Sequence, residues 1–145
     1  MKKLIAVLTA LALAALPLLA FGEGSAEDFG GSTLNVYNWG EYIDKEVLRS
    51  FEKQYNCKVN YKTFESNEAL YTNIIGGDDP WDILVPSDYM IERLIKEDLL
   101  AELNLDNIPN KANVLDSLMD PAYDPGNAHS IPYMWGTLGI VVNTE

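Results

Sequence analysis

Cysteine and histidine each occur once in the 145 residues, as Cys57 and His129, and basic residues are scarce: 10 Lys plus Arg against 22 Asp plus Glu, a formal charge of −12. One thiol cannot form a disulfide within the chain, and one thiol with one imidazole cannot build a Cys and His zinc cage. The lack of a basic cluster argues against binding to nucleic acid or an anionic membrane, because either would need cations to neutralise phosphates. No phosphate loop, dinucleotide fingerprint or GxSxG nucleophile elbow is present. The acidic balance suits a cationic partner, or merely keeps the chain soluble. With 48% hydrophobic residues, a chain of this length has room for one core.

The long apolar stretch is confined to the N-terminus. Lys2 and Lys3 precede an uncharged Leu- and Ala-rich run over residues 4–20, followed by Phe21 and Gly22. This layout predicts a secretory signal peptide over residues 1–22, with Ala20 and Gly22 as the small residues before a cut near Glu23. The run approaches the lower length for a membrane span, but Pro17 and the small-residue exit favour cleavage over a retained anchor. No Cys lies near the exit for lipid attachment, so the sequence predicts an exported chain, periplasmic or on the outer side of the cytoplasmic membrane. Losing Lys2 and Lys3 with the signal would take the formal charge from −12 to −14.

Residues 23–32 are Gly-rich, acidic and without periodicity, and read as a flexible leader. Strand and helix patterns then alternate. Leu34, Val36 and Tyr37 mark a strand, and Asn38 to Tyr42 a polar and aromatic turn. Asp44 is placed to cap a helix whose Val47, Leu48, Phe51 and Tyr55 share one face, with Asn56 as a left-handed stop. Lys58 to Phe64 alternates as a second strand. Ser66 or Asn67 caps a helix through Leu70, Ile74 and Ile75, ended by Gly76 and Gly77. Ile83, Leu84 and Val85 form a continuous apolar run of the kind found in a strand covered on both faces. Asp88 opens a helix carrying Met90, Ile91, Leu94 and Ile95. Repeated strand and helix units predict an α/β fold with a mainly parallel sheet flanked by helices. A short helix is expected over residues 110–119, then a turn over 121–127 and two further strands over 131–135 and 138–142.

In an open parallel sheet, ligands sit beyond the carboxyl ends of the strands, where strand order reverses. The first strand runs into Trp39, Glu41 and Tyr42, and the third into Ser87, Asp88 and Tyr89. Aromatic faces attract ammonium groups at about 0.5–2 kcal/mol per contact, and carboxylates accept charge-assisted bonds from them. The set therefore suits an elongated organic cation. Taken singly, the same aromatics serve equally as core or rim residues, Glu41 as a solvated turn residue, and Ser87 or Asp88 as a helix cap. Cys57 with His129 would be the pair for a secreted thiol hydrolase, but no motif surrounds either residue. Glu65, Asp78, Asp79 and Asp82 lack the alternating spacing of a calcium loop and read as loop acids.

Four ordered blocks, LNVYNWGEYI at 34–43, FESNEALY at 64–71, WDILVPSDYMIERL at 81–94 and SIPYMWGTLGIVVN at 130–143, carry a family likeness. The chain resembles the N-terminal part of the spermidine/putrescine-binding proteins of bacterial ABC transporters, from about Leu34 to Glu145. The resemblance implies a type II periplasmic-binding-protein fold with two lobes that close on a polyamine like a hinge and deliver it to a membrane permease. On that basis residues 33–145 are expected to be an incomplete N-terminal lobe, cut before the second lobe and the return segment, because family members are more than twice as long. It assigns Trp39, Glu41 and Tyr42 to a first ligand loop and Ser87 and Tyr89 to a second, with no cofactor, no metal and no enzymatic activity, in a monomer. Two positions depart from the family pattern: Gly40 stands where Thr or Ser is frequent, and Asp88 where a hydroxyl residue is frequent. Another small solute carried by the same fold is the alternative cargo.

Overall fold

The computed structural model describes residues 28–144 apart from Asp78 and Leu138; the expected signal peptide and residues 23–27 of the leader lie outside the described residues. Strands β1 (Thr33–Asn38), β2 (Lys58–Thr63) and β3 (Ile83–Leu84) form a parallel sheet in the order β2-β1-β3. Thr33 pairs with Lys58 through to Asn38 with Thr63 on one side, and Val36 with Ile83 and Tyr37 with Leu84 on the other. The α/β class and the parallel sheet expected from the sequence are both present.

Parallel neighbours require crossovers, and helices supply them: α1 (Lys45–Tyr55) between β1 and β2, α2 (Asn67–Gly76) between β2 and β3, and α3 (Asp88–Lys96) after β3. Their ends are where the local signals put them. The Asp44 carboxylate accepts from the Glu46 amide at 2.7 Å, and Asn56 stops α1 at φ 46°. The Ser66 hydroxyl accepts from the Ala69 amide at 3.1 Å, and Gly77 closes α2 at φ 70°, a conformation that costs glycine nothing.

Right-handed crossovers to opposite sides of β1 put α1 on one face of the sheet and α2 on the other. The core lies on the second face. Tyr37, Phe64, Leu70, Met90 and Leu94 are buried together, drawn from β1, the end of β2, α2 and α3, while α1 buries no residue. Full burial of a side chain such as Leu70 or Leu94 contributes about 1.5–3 kcal/mol. Tyr37 stacks on Trp81 at 4.4 Å and meets Phe64 edge-on at 5.0 Å. The Trp81 indole donates to Asn73, and the Lys62 ammonium lies 5.3 Å above its ring while bonded to Asp79.

Four segments differ from their sequence-based expectations. Ile83 is 44% exposed, so β3 is not covered on both faces. Residues 110–119 form two short 3-10 turns, Pro109–Asn113 and Asp116–Leu118, instead of a helix. Asn110, Asn113, Asp116 and Ser117 compete for the backbone there, and Leu115, 69% exposed, anchors no buried face that would offset them. The runs at 131–135 and 139–142 are not strands: Pro132 lacks an amide donor, no described strand pairs with either run, and Ile140 and Val141 lie in the open.

Candidate functional site

The site is organised around the point where β1 and β3 run side by side and their following loops depart to opposite faces of the sheet. The amide of Val85 donates to the Tyr37 carbonyl at 3.0 Å, keeping the two chains paired up to the edge. Buried Asn38 ends β1; its carbonyl accepts from the Phe64 amide and its side-chain oxygen from the Trp39 amide at 2.7 Å, which turns the chain out of the sheet. The Trp39 indole is half-buried, 4.4 Å from the Phe64 ring and 6.1 Å from that of Tyr42. Its carbonyl accepts from the Tyr61 hydroxyl at 3.1 Å. Burial, with Tyr133 nearby, pushes the Tyr61 phenol above its ordinary value. Glu41 is exposed, and among the described residues its carboxylate has no hydrogen-bond or ion-pair partner. The Tyr133 hydroxyl donates to the Tyr42 carbonyl and bridges the 131–135 segment to this loop.

On the β3 side, Ser87 occupies the cap position of α3 but makes no capping bond through its side chain. It faces Asn67, the first residue of α2. The Asn67 amide group donates to the Ser87 hydroxyl at 3.0 Å and to the Tyr89 hydroxyl at 2.8 Å, and its oxygen accepts from the Ser87 amide at 3.0 Å. Tyr89 is half exposed and donates to Glu68 at 3.3 Å. The Asp88 carboxylate accepts from the Tyr89 amide. The Tyr123 phenol is pushed up first by burial and then by the negative charges of Asp88 and Asp124.

Trp39 and Tyr42 are thus in ring contact, Ser87 and Tyr89 are joined through Asn67, and Glu41 has no partner among the described residues. No hydrogen bond or ring contact among the described residues links the first loop to the second; they share an edge of the sheet. Sequence reasoning missed Tyr61, Asn67, Glu68 and Tyr133 as parts of this edge. Asn67 figured only as a possible cap, and nothing in its spacing signals a partner 20 residues away. No hydrogen bond joins Cys57 to His129 among the described residues: the Cys57 amide bonds Glu52 ahead of β2, and the imidazole contacts the Ala101 carbonyl.

An edge lined by aromatic faces and unpaired or shared acceptors can hold a cationic amine, and the likenesses of the chain lie among proteins that do. The family model described as bacterial extracellular solute-binding protein matches residues 30–145. The putrescine-binding periplasmic protein SpuD of Pseudomonas aeruginosa is 38% identical over 135 residues, 92% of this chain and 37% of that protein. The spermidine/putrescine-binding periplasmic protein of Escherichia coli is 36% identical over 128 residues, 88% of this chain and 37% of its own length. The chain therefore spans little more than a third of the curated relatives it matches. Among solved structures, the spermidine/putrescine ABC transporter substrate-binding protein PotD of Streptococcus pneumoniae superposes with a TM-score of 0.71 at 44% identity, covering 73% of this chain and 33% of that one. A putative spermidine/putrescine ABC transporter protein from Listeria monocytogenes gives 0.70 at 45% identity, covering 72% and 32%. Matched from residue 30 to residue 145, and sharing their parallel α/β architecture, this chain belongs to the bacterial extracellular solute-binding proteins.

Proposed function

We propose that the chain supplies one side of the ligand site of an exported polyamine receptor, which hands putrescine or spermidine to an ABC-transporter permease. Trp39, Glu41, Tyr42, Ser87 and Tyr89 are its ligand-contacting residues in this reading, and the receptor acts as a monomer outside the cytoplasmic membrane without catalysing a reaction. The observation that carries it is the placement of Trp39, Tyr42 and unpartnered Glu41 on one loop and Ser87 with Tyr89 on the next, at adjacent strand ends flanking the reversal of strand order. Trp39 and Tyr42 offer ring faces to the methylene chain and the ammonium charge, and Glu41 accepts from an amine terminus. The names of the relatives support the same ligand class.

One or two cation–π contacts and one charge-assisted bond, at about 0.5–2 and 1.5–3 kcal/mol each, only just exceed the cost of immobilising a flexible diamine. The 145-residue chain is therefore expected to bind putrescine no more tightly than the millimolar range, with at most about 3 kcal/mol of net binding energy. A titration of the 15N-labelled chain at constant ionic strength tests this. The Trp39 indole and the Tyr89 amide should shift with putrescine and spermidine but not with glutamate or glucose, and Trp39→Ala should abolish the response. Micromolar affinity would refute the weak one-sided site, a response to amino acid or sugar alone would transfer the site to another cargo, and no response at all would sink the reading.

A further inference from the structure

Asn67 is only 5% exposed, yet its side chain makes three hydrogen bonds among the described residues to a different element, the start of α3. Its orientation is fixed by chemistry. The Ser87 backbone amide can only donate, so the Asn67 oxygen must face it, and the NH2 group must then face the two hydroxyls. Both hydroxyl oxygens are therefore acceptors towards Asn67. The Tyr89 proton is directed to the Glu68 carboxylate, which leaves the phenol oxygen electron-rich. Ser87 keeps a lone pair and no capping duty.

The same arrangement resolves an electrostatic conflict. Two helix N-termini, those of α2 and α3, meet at this edge, and helix N-termini attract anions. Here Glu68 and Asp88 occupy their first turns. They offset the positive helix ends, and the proton of Tyr89, one of the donors an anion could use here, is already committed to Glu68.

Resting on the polyamine reading above, we propose that Asn67 is a positioning residue of the amine site. Its buried amide holds Ser87 and Tyr89 as acceptors towards an ammonium group, and Glu68, through the Tyr89 hydroxyl, sets the preference of that half of the site for cations.

The test is a putrescine titration of the 15N-labelled full chain and of two variants. Asn67→Ala should weaken binding about fivefold or more and erase the Ser87 and Tyr89 perturbations, while the Trp39 indole still shifts. Glu68→Gln keeps an acceptor for the Tyr89 hydroxyl and removes only the charge, so a purely structural role predicts no change; the expected result is about two- to threefold weaker binding that converges on wild type at high salt. Should Asn67→Ala lose its dispersed spectrum, Glu68→Gln, altered at an exposed side chain, decides alone. Wild-type affinity in the variants, with the wild-type chain responding, overturns this inference and leaves the polyamine reading standing. A wild-type chain without any response overturns both.

Discussion

Leu70 and Ile75 sit five residues apart on α2 and differ in what the fold has done with them. Leu70 is 0% exposed within the cluster of Tyr37, Phe64, Met90 and Leu94, whereas Ile75 is 56% exposed near the end of the helix. Truncating Leu70 to Ala removes buried methyl groups and leaves a cavity, a change that costs about 2.7–5 kcal/mol where it has been measured in well-packed cores. Truncating Ile75 forfeits under half of the roughly 1.5–3 kcal/mol that full burial contributes. It also regains a few tenths of a kcal/mol, because Ala is the better helix former. The net cost should fall below about 1 kcal/mol. Urea unfolding followed by tryptophan fluorescence reads both, since Trp81 stacks on Tyr37 at the centre of the same cluster. Leu70→Ala should lower the midpoint severalfold more than Ile75→Ala at unchanged slope, or leave no cooperative transition. Equal midpoints for the two variants would show that the face of α2 turned to the sheet is not the one that holds the fold.

The α2 cap gives a second test: Ser66→Ala should cost about 1 kcal/mol in the same titration and Ser66→Gly only a few tenths, and an unaffected Ser66→Ala would deny the bond to Ala69 any part in stability. A third concerns alkali. Burial raises the Tyr61 and Tyr123 phenols above the ordinary value of 10.0, so the folded state holds those protons longer than the unfolded chain does. Stability from this source is intact below that value and is lost as pH rises through the folded-state values. The urea midpoint should therefore fall above pH 10.0 and fall less in Tyr123→Phe, and an identical alkaline loss in that variant would remove Tyr123 from the account.

The reach of the sequence reading tracks the range of the interactions involved. Asp44, Asn56, Ser66 and Gly77 act on backbone groups within a few residues of themselves, and each cap was legible as a residue type beside an amphipathic run. The parallel sheet followed from the alternation of strand and helix patterns. The segments at 110–119 and 131–142 misled because an apolar pattern states what could be buried, not whether a partner exists to bury it. Leu115 finds no buried face, and Tyr133 spends its hydroxyl on a carbonyl 91 residues away instead of joining a strand. Asn67 misled in a different way. It looked like one of two candidate caps, and Ser66 alone took that role, leaving the amide free to reach Ser87 and Tyr89.

The sequence by itself determined the acidic, nearly thiol-free composition, the α/β order of elements, the helix ends and which residues follow the strand ends. It could do so because those features depend on residue chemistry and on spacing over a turn or two. Only the tertiary structure decided that α2 and α3 would bring their N-termini together, that Asn67 would bond Ser87 and Tyr89, and that Glu41 would have no partner among the described residues while Glu68 was engaged. Those outcomes depend on hydrogen bonds between residues about 20 apart, whose directions are fixed when the helices pack on the sheet.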